Sequence, residues 1–333
     1  MTPPPPEQTA ASAAMPPLLD FLLTRKLPCS CLAFTLFTAI FWLPGLFPGA
    51  PMIAFLFILI AVVAHFTTPA LFALIQIGGG GSFVTPVALI SSAGVAALNR
   101  FDPTVTLIYL LFYAVLPAMA ANILRRHGGL ARSGEVLAVA IFCAVTAALA
   151  LGAALHGDGS LQKYTRMLMA PMFAPIEGRG GDAVEEVEAS LALAMPGLVA
   201  GGLWSIWWGG LLGARWLAMR YGFYHDSCFS WYYVRFQPRL ALLMLLALVP
   251  ANMAGGNLQF VAIALSLLLA ALFAVQGVAV AHLWLKERQL NVLLAGMYIF
   301  LFFWSLAIIP FVVIGLLDTW FDFRRGAPPE EGV

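Results

Sequence analysis

Charged residues are scarce in this chain: Asp, Glu, Lys and Arg together make up 10% of its 333 residues. A soluble domain of this length needs roughly a quarter of its residues charged, so the composition excludes an ordinary soluble protein. The net charge of only +1 suggests neither nucleic acid nor an acidic molecule as a partner.

Cysteine and histidine are also few, with four and five copies. Cys29 and Cys31 form a C-x-C pair, Cys143 and Cys228 are isolated, and the histidines are too scattered for the spacing of a zinc site. The sequence therefore predicts neither a metal site nor a cofactor. We interpret the cysteines as small packing residues.

Apolar residues, in contrast, make up 62% of the chain, and the mean hydropathy is +0.91. They form helix-length runs separated by short charged joints. Because every backbone polar group inside a bilayer must be satisfied within the protein, such runs are expected to be helical. The sequence therefore predicts an all-α, polytopic transmembrane helix bundle of about eight to nine spans, several of them broken or kinked by Pro or Gly.

The predicted domain organisation has a membrane domain between two short tails. Residues 1–20 are rich in Pro and Ala and are expected to be disordered, because they cannot bury enough apolar surface. Residues 21–325 form the transmembrane domain, and residues 326–333 form a short C-terminal tail. Within the membrane domain, residues 156–188 are predicted to form an extracytoplasmic segment containing a short helix that lies in the interface.

The basic residues indicate the orientation, since Lys and Arg collect on the cytoplasmic side of membrane proteins. Arg25 and Lys26 precede the first apolar run, which predicts an uncleaved anchor with a cytoplasmic N-terminus in a bacterial inner membrane. The last apolar run, about 290–320, contains Pro310. A hairpin bent at this proline would return the C-terminus to the cytoplasm.

Two segments of the C-terminal third carry a resemblance to a known family. Residues 273–282 read FAVQGVAVAH, and residues 315–325 read GLLDTWFDFRR. These segments resemble the closing motifs of the YybS-like family of uncharacterised bacterial multispan membrane proteins. That family is similar in helix pattern to the substrate-binding membrane components of energy-coupling-factor transporters. The resemblance therefore implies a solute-binding membrane protein.

Polar residues inside the predicted spans are the candidate ligand contacts, because burying a polar group in lipid is costly. Gln276 lies mid-span beside Gly277, and His282 lies near the end of the same helix. Gln276 could contact a ligand in a central cavity or form an interhelical hydrogen bond. His282 could relay protons or lie at the membrane interface.

Two further features remain open to two interpretations each. Gly79 and Gly80 belong to a run of four glycines that could expose backbone groups to a ligand at a broken helix or form a flexible turn. Asp318 and Asp322 lie four residues apart and could bind a cation or act in acid–base chemistry. The alternative is a solvated helix end in which Asp322 pairs with Arg325.

Small residues in the predicted span that ends at about Met219 indicate close helix packing. Gly197 and Gly201, and likewise Gly209 and Gly213, form G-x-x-x-G motifs that allow helices to approach within the chain or between chains. The tryptophans of the same span are expected to fill the core.

Three functions follow from these features. The first is a transporter-type protein with a small-molecule site near Gln276 and the glycine run. Because the chain has no ATPase motif, it would need a partner to supply energy. The second is a structural or assembly subunit, associated with a membrane-protein partner or a second copy of the chain. The third, an intramembrane enzyme, depends only on Asp318, Asp322 and His282, and no nucleophile–base pair supports it. We therefore predict that the protein is not an enzyme.

Overall fold

The computed structural model describes residues 14–43, 51–127, 129–156, 159–173, 177–224 and 231–324. Across these residues the chain is helical, with no β-strand, which confirms the predicted all-α fold. The α-helices are α1 (Pro17–Thr24), α2 (Lys26–Trp42), α3 (Pro51–Gly79), α4 (Gly81–Leu98), α5 (Pro103–Ile108), α6 (Leu116–His127), α7 (Leu130–His156), α8 (Leu161–Phe173), α9 (Glu177–Arg220), α10 (Pro238–Met253), α11 (Gly256–Glu287), α12 (Asn291–Phe303) and α13 (Ile308–Phe321). A π-helix, Tyr109–Val115, joins α5 to α6.

Within the described residues, six helical segments are long and apolar enough to cross a membrane. They are α3, α4, the continuous segment Pro103–Arg126, α7, the Glu185–Arg220 part of α9, and α11. The other segments predicted as spans are the shorter apolar helices α2 and α10 and the pair α12 and α13. The fold is therefore that of a polytopic helical membrane protein.

The pair α12 and α13 is bent by 116° at the 3₁₀ turn Ser305–Ala307. The sequence placed this bend at Pro310, and that position was wrong. Pro310 lies in the first turn of α13, where a backbone N–H has no partner within the helix. A proline is tolerated there because the N–H it lacks would form no helical hydrogen bond.

The chain divides into two compact units, of which the first comprises residues 1–128 and 207–227. Its core is built on α2, α3, α4 and the π-helix, around the fully buried side chains of Phe37, Phe72, Val87 and Tyr109. The chain turns from α3 into α4 at Gly80, whose φ of 67° is a left-handed value that favours glycine.

The second unit comprises residues 129–206 and 228–333 and is built around α11. Glycines allow other helices to pack closely on it. A Cβ on Gly277 would overlap the carbonyl oxygen of Phe311, and one on Gly315 would overlap that of Phe273. Gly197 lies in the same way against the backbone of Ala264. Trp204, predicted to fill the core, is fully buried and donates its indole N–H to the carbonyl of Gly134.

The segments flanking the spans differ partly from their predicted form. α1 begins at Pro17, inside the segment predicted as a disordered tail, and residues 1–13 of that tail lie outside the described part of the chain. The predicted interfacial helix corresponds to α8. α8 buries Leu161, Thr165 and Met169 and exposes Leu168, as expected for a helix with one apolar face turned outward.

Candidate functional site

Gln276 lies in a fully buried polar cluster of the second unit. Its side-chain oxygen accepts a hydrogen bond from the backbone N–H of Phe236 at 3.0 Å. Its nitrogen donates to Asp318 Oδ2 at 2.8 Å and lies 3.5 Å from Thr319 Oγ1. The amide is therefore used within the chain, as the hydrogen-bond interpretation of Gln276 expects.

Asp318 is the centre of this cluster, with no exposed surface. Its Oδ2 lies 2.5 Å from Arg324 Nη2, and its Oδ1 accepts the backbone N–H of Phe323 at 3.0 Å. The guanidinium of Arg324 also donates to the carbonyl oxygens of Tyr232 (2.7 Å) and Val234 (3.0 Å). A buried charge needs an opposite charge and further hydrogen bonds to offset the loss of water. Asp318 and Arg324 each have both.

Asp322 does not share a helix face with Asp318, because α13 ends at Phe321 and Asp322 adopts a left-handed conformation, with φ of 48°. Asp322 instead lies 3.2 Å from Arg235, which also donates to the carbonyl oxygen of Thr319. The proposed partner Arg325 lies outside the described residues. Together these bonds attach the segment 231–237 to α11 and α13.

The remaining residues predicted in this region are also in contact with protein groups. His282 is stacked on Tyr232, with ring centroids 5.0 Å apart, and its Nδ1 lies 2.9 Å from the hydroxyl of Tyr298. Gly277 is covered by the backbone of Phe311. The hydrogen bonds and ion pairs of this cluster hold the segment 231–237, α11 and α13 together, and we call the cluster the clamp.

The glycine run lies in the first unit, beside a small pocket. This pocket of about 240 Å³ has a mostly apolar lining. The lining residues are Leu23, Thr24, Leu74, Ile75, Gly78, Gly79, Phe83 and Phe223. Gly80 is not part of the lining, and its Cα is covered by the guanidinium of Arg125. The structure thus places a positive charge next to the glycine run.

A larger pocket, of about 380 Å³, lies between the ends of α2 and α4 and the start of α5. Its lining is formed by Phe37, Thr38, Phe41, Trp42, Val95, Leu98, Asn99, Val105 and Ile108. The hydroxyl of Thr38 is buried and has no hydrogen-bond partner among the described residues. An apolar pocket of this size with a few polar groups is typical of small-molecule sites.

The turn beside this pocket is strained. Arg100 and Phe101 follow α4 and both have positive φ, 54° and 62°. Such conformations cost about 1–3 kcal/mol each for residues other than glycine and are frequent near functional sites. The strained turn therefore lies at the same end of the first unit as the larger pocket.

The two pockets lie at opposite ends of α4. Phe83, in its first turn, lines the smaller pocket, and Val95 and Leu98, near its end, line the larger one. Phe83 and Val95 are about 12 residues or roughly 18 Å apart along the helix. Between these levels lies the aromatic core around Phe37 and Tyr109.

One polar pair was missed by sequence analysis. The Nδ1 atom of His65, on α3, lies 2.8 Å from the hydroxyl of Tyr113, on the π-helix. A histidine in the middle of an apolar run was the available signal, since ionisable residues within spans are usually functional. Its partner is 48 residues away in the sequence, on another helix, and spacing alone does not reveal it.

Comparisons of this chain with protein-family models, with curated proteins and with solved structures find no match. The resemblance to the YybS-like family stays a prediction.

Proposed function

We propose that this chain is a transporter-type, solute-binding component of a bacterial inner membrane, and that its first unit holds the solute path. The observation that carries the proposal is the presence of two pockets at opposite ends of α4. Alternating access requires a site that can be reached from each side of the membrane. One pocket at each end of α4 supports the proposal, because each pocket would form the part of a solute path that opens to one side of the membrane.

The predicted orientation of the chain implies which side of the membrane each pocket faces. With Arg25 and Lys26 on the cytoplasmic side, the beginning of α2 is cytoplasmic and its end is extracytoplasmic. The larger pocket, lined by Thr38 and Trp42 near the end of α2, then opens outward. The smaller pocket, beside Gly78 and Gly79, then opens toward the cytoplasm.

The lining defines the class of solute. Most of the lining of the larger pocket is apolar and aromatic, and Thr38 and Asn99 supply its polar groups. Asn99 Nδ2 already donates to the carbonyl of Val95, so the hydroxyl of Thr38 is the group left for a ligand. The pocket therefore fits a small, mostly apolar molecule with a hydrogen-bonding group, and a partner protein would supply energy.

The test is a binding screen on the full chain in detergent, by thermal shift and by mass spectrometry of co-purified small molecules. Thr38→Val should weaken the binding of a bound solute about 5- to 10-fold, because a hydrogen bond contributes about 1 kcal/mol. Thr67→Val is the matched control, since its hydroxyl is bonded to the carbonyl of Val63. Gly78→Leu should fill the smaller pocket and stop uptake into vesicles.

The absence of any bound solute, or equal binding by Thr38→Val and the native chain, would contradict the proposal.

The alternative function is that of an assembly subunit. The helix α12 favours this second function, because none of its residues is buried and its Phe302 and Phe303 are more than four-fifths exposed. Crosslinking of the chain to a single stoichiometric membrane protein would support it.

A further inference from the structure

We propose that His65 and Tyr113 form a proton-binding site in the middle of the first unit. The binding of a proton by this pair does not depend on the proposed function. The coupling of proton binding to solute movement rests on the proposed function. No residue of the pair was assigned a role by sequence analysis.

The depth of His65 is the first argument. It lies midway between the ends of α3, Pro51 and Gly79, about 21 Å from each at about 1.5 Å per residue. A helix that crosses the bilayer core of about 30 Å therefore holds this imidazole near the membrane centre. A polar ring at that depth is costly unless it has a partner or a role.

The geometry of the pair is the second argument. Tyr113 is almost fully buried, and its hydroxyl lies 2.8 Å from His65 Nδ1. The other ring nitrogen of His65, Nε2, has no hydrogen-bond partner within the described part of the chain. The ring is only half-buried. Nδ1 is thus held in place by Tyr113, and in the tautomer whose hydrogen lies on Nδ1 the open Nε2 accepts a proton.

The π-helix is the third argument. It carries both Tyr109 and Tyr113, and the hydroxyl of Tyr109 donates to Ser91 Oγ at 2.7 Å. π-helical turns are rare and occur frequently at functional sites. Phe37, which lines the larger pocket, contacts the ring of Tyr113, with centroids 5.1 Å apart. The pair is therefore in direct packing contact with the wall of the proposed solute site.

No carboxylate surrounds the pair in the described core of this unit. The other titratable groups in the buried core around the pair are Cys29 on α2 and Tyr109 on the π-helix. Arg215 is a buried cation on α9. It lies two helical turns, or about 12 Å, beyond Trp207, whose ring centroid is 6.1 Å from that of Tyr113. The hydroxyl oxygen of Tyr113, 2.8 Å from Nδ1, is therefore the acceptor that stabilises a protonated His65.

The proton balance of the step is simple. The neutral imidazole carries one N–H, and proton uptake from water forms a second N–H bond. Both nitrogens of the imidazolium are donors, so Nδ1–H must donate to the oxygen of Tyr113. In the tautomer with its hydrogen on Nδ1, Nδ1–H already donates to Tyr113 and the new proton binds at Nε2. In the other tautomer the hydroxyl of Tyr113 donates to Nδ1, so the new proton binds at Nδ1 and this hydroxyl becomes the acceptor. In that second case proton binding changes the hydrogen bonding of a residue that packs against the pocket wall.

The test is nitrogen NMR of the full chain in nanodiscs, with ¹⁵N-labelled histidine, over pH values of about 5 to 8. The native chain should show one imidazole whose nitrogen shifts titrate and are absent from His65→Gln. His156→Gln, in the second unit, is the control that removes another histidine and should leave this signal unchanged. Tyr113→Phe should retain the signal and change its midpoint by about half a pH unit or more, because a charge-assisted hydrogen bond is lost.

A His65 imidazole that keeps one protonation state over the whole range would overturn the proposal, as would a midpoint that Tyr113→Phe leaves unchanged. The outcomes for the two proposals are separate. A titrating His65 in a chain that binds no solute would refute the proposed function alone. Solute binding with a His65 that does not titrate would refute the proton site alone.

Discussion

Asp318 and Arg324 form an ion pair from which water is almost entirely removed, with side-chain exposures of 0% and 6%. Replacing Asp318 by Asn would leave the guanidinium buried without its counter-charge. Loss of one member of a buried pair typically costs about 3–5 kcal/mol. Asp318→Asn should therefore lower the thermal unfolding temperature in detergent strongly, as followed by circular dichroism or by loss of the monodisperse peak.

Asp322→Asn is the matched control for this experiment. Asp322 also pairs with an arginine, but that ion pair is partly exposed, with 37% and 24% of the two side chains accessible. Exposed pairs contribute roughly 0–1 kcal/mol, so the control should unfold close to the native temperature. Equal effects of the two substitutions would show that the buried cluster is not what stabilises this end of α13.

Gln276 gives a second prediction at this scale. Gln276→Leu removes the acceptor for the buried N–H of Phe236 and should destabilise the second unit by about 1–3 kcal/mol. It should leave solute binding unchanged, because the proposed solute pockets are in the first unit. Gln259→Leu is the control, since Gln259 makes one long bond, 3.3 Å, to the carbonyl of Ala251. If Gln276→Leu abolished solute binding and Gln259→Leu did not, Gln276 would be a ligand contact after all.

The sequence indicates which polar residues are important more readily than it indicates which residues they contact. Sequence analysis selected Gln276, Asp318 and Asp322 because polar groups in apolar helices need a reason, and all three are in the buried cluster or at its edge. It assigned Arg325 as the partner of Asp322 by assuming that the helix continues. The left-handed turn at Asp322 ends the helix, and the observed partner, Arg235, comes from a distant segment.

At the scale of elements, the crossing of α11 and α13 depends on two glycines. Gly277→Ala and Gly315→Ala would each place a methyl group on a backbone carbonyl, which cannot move without separating the helices. Overpacking of this kind costs about 1–3 kcal/mol or more. Each variant should therefore unfold at a lower temperature than the native chain, and the double variant at the lowest.

Gly213→Ala is the matched control, because Gly213 lies in a helix with no atom close enough to meet an added Cβ within the described residues. It should be neutral or slightly stabilising, since alanine is the better helix former. Destabilisation of the same size at Gly213 would mean that its G-x-x-x-G motif packs against another chain.

Hydropathy identified the long helices well, because the bilayer imposes both their length and their composition. The π-helix at Tyr109–Val115 and the position of the bend before α13 were not predictable in this way. Both depend on which side chains meet across helices. The same is true of His65 and Tyr113. Each of these residues was visible in the sequence as a polar group in an apolar run, but their contact belongs to the tertiary fold.

At the scale of the whole molecule, the described surface is largely apolar. Large hydrophobic side chains are exposed along α3 and α10, including Met52, Leu246 and Met253. A water-soluble monomer rarely exposes contiguous apolar patches of more than a few hundred Å². The medium of this surface is therefore lipid, and the chain should stay in the membrane fraction during an alkaline wash that removes peripheral proteins.

The side of the C-terminus is the last prediction. Arg324, at the end of α13, is bonded to the carbonyls of Tyr232 and Val234, and Tyr232 is stacked on His282 near the basic end of α11. The end of α13 and the turn after α11 therefore lie at the same end of the second unit. By the positive-inside rule both should be cytoplasmic.

The measurement is maleimide labelling of sealed inverted and right-side-out vesicles, using a chain without native cysteines. A cysteine at Gln289, in the turn after α11, and one added after Val333 should be labelled from the same side. Met253→Cys, at the end of α10 and beside the turn into α11, is the control. It should be labelled from the opposite side, because this residue is 83% exposed next to the beginning of α11. Labelling of the added cysteine together with Met253→Cys would contradict the prediction, since the clamp of Asp318 and Arg324 could not then exist in the membrane.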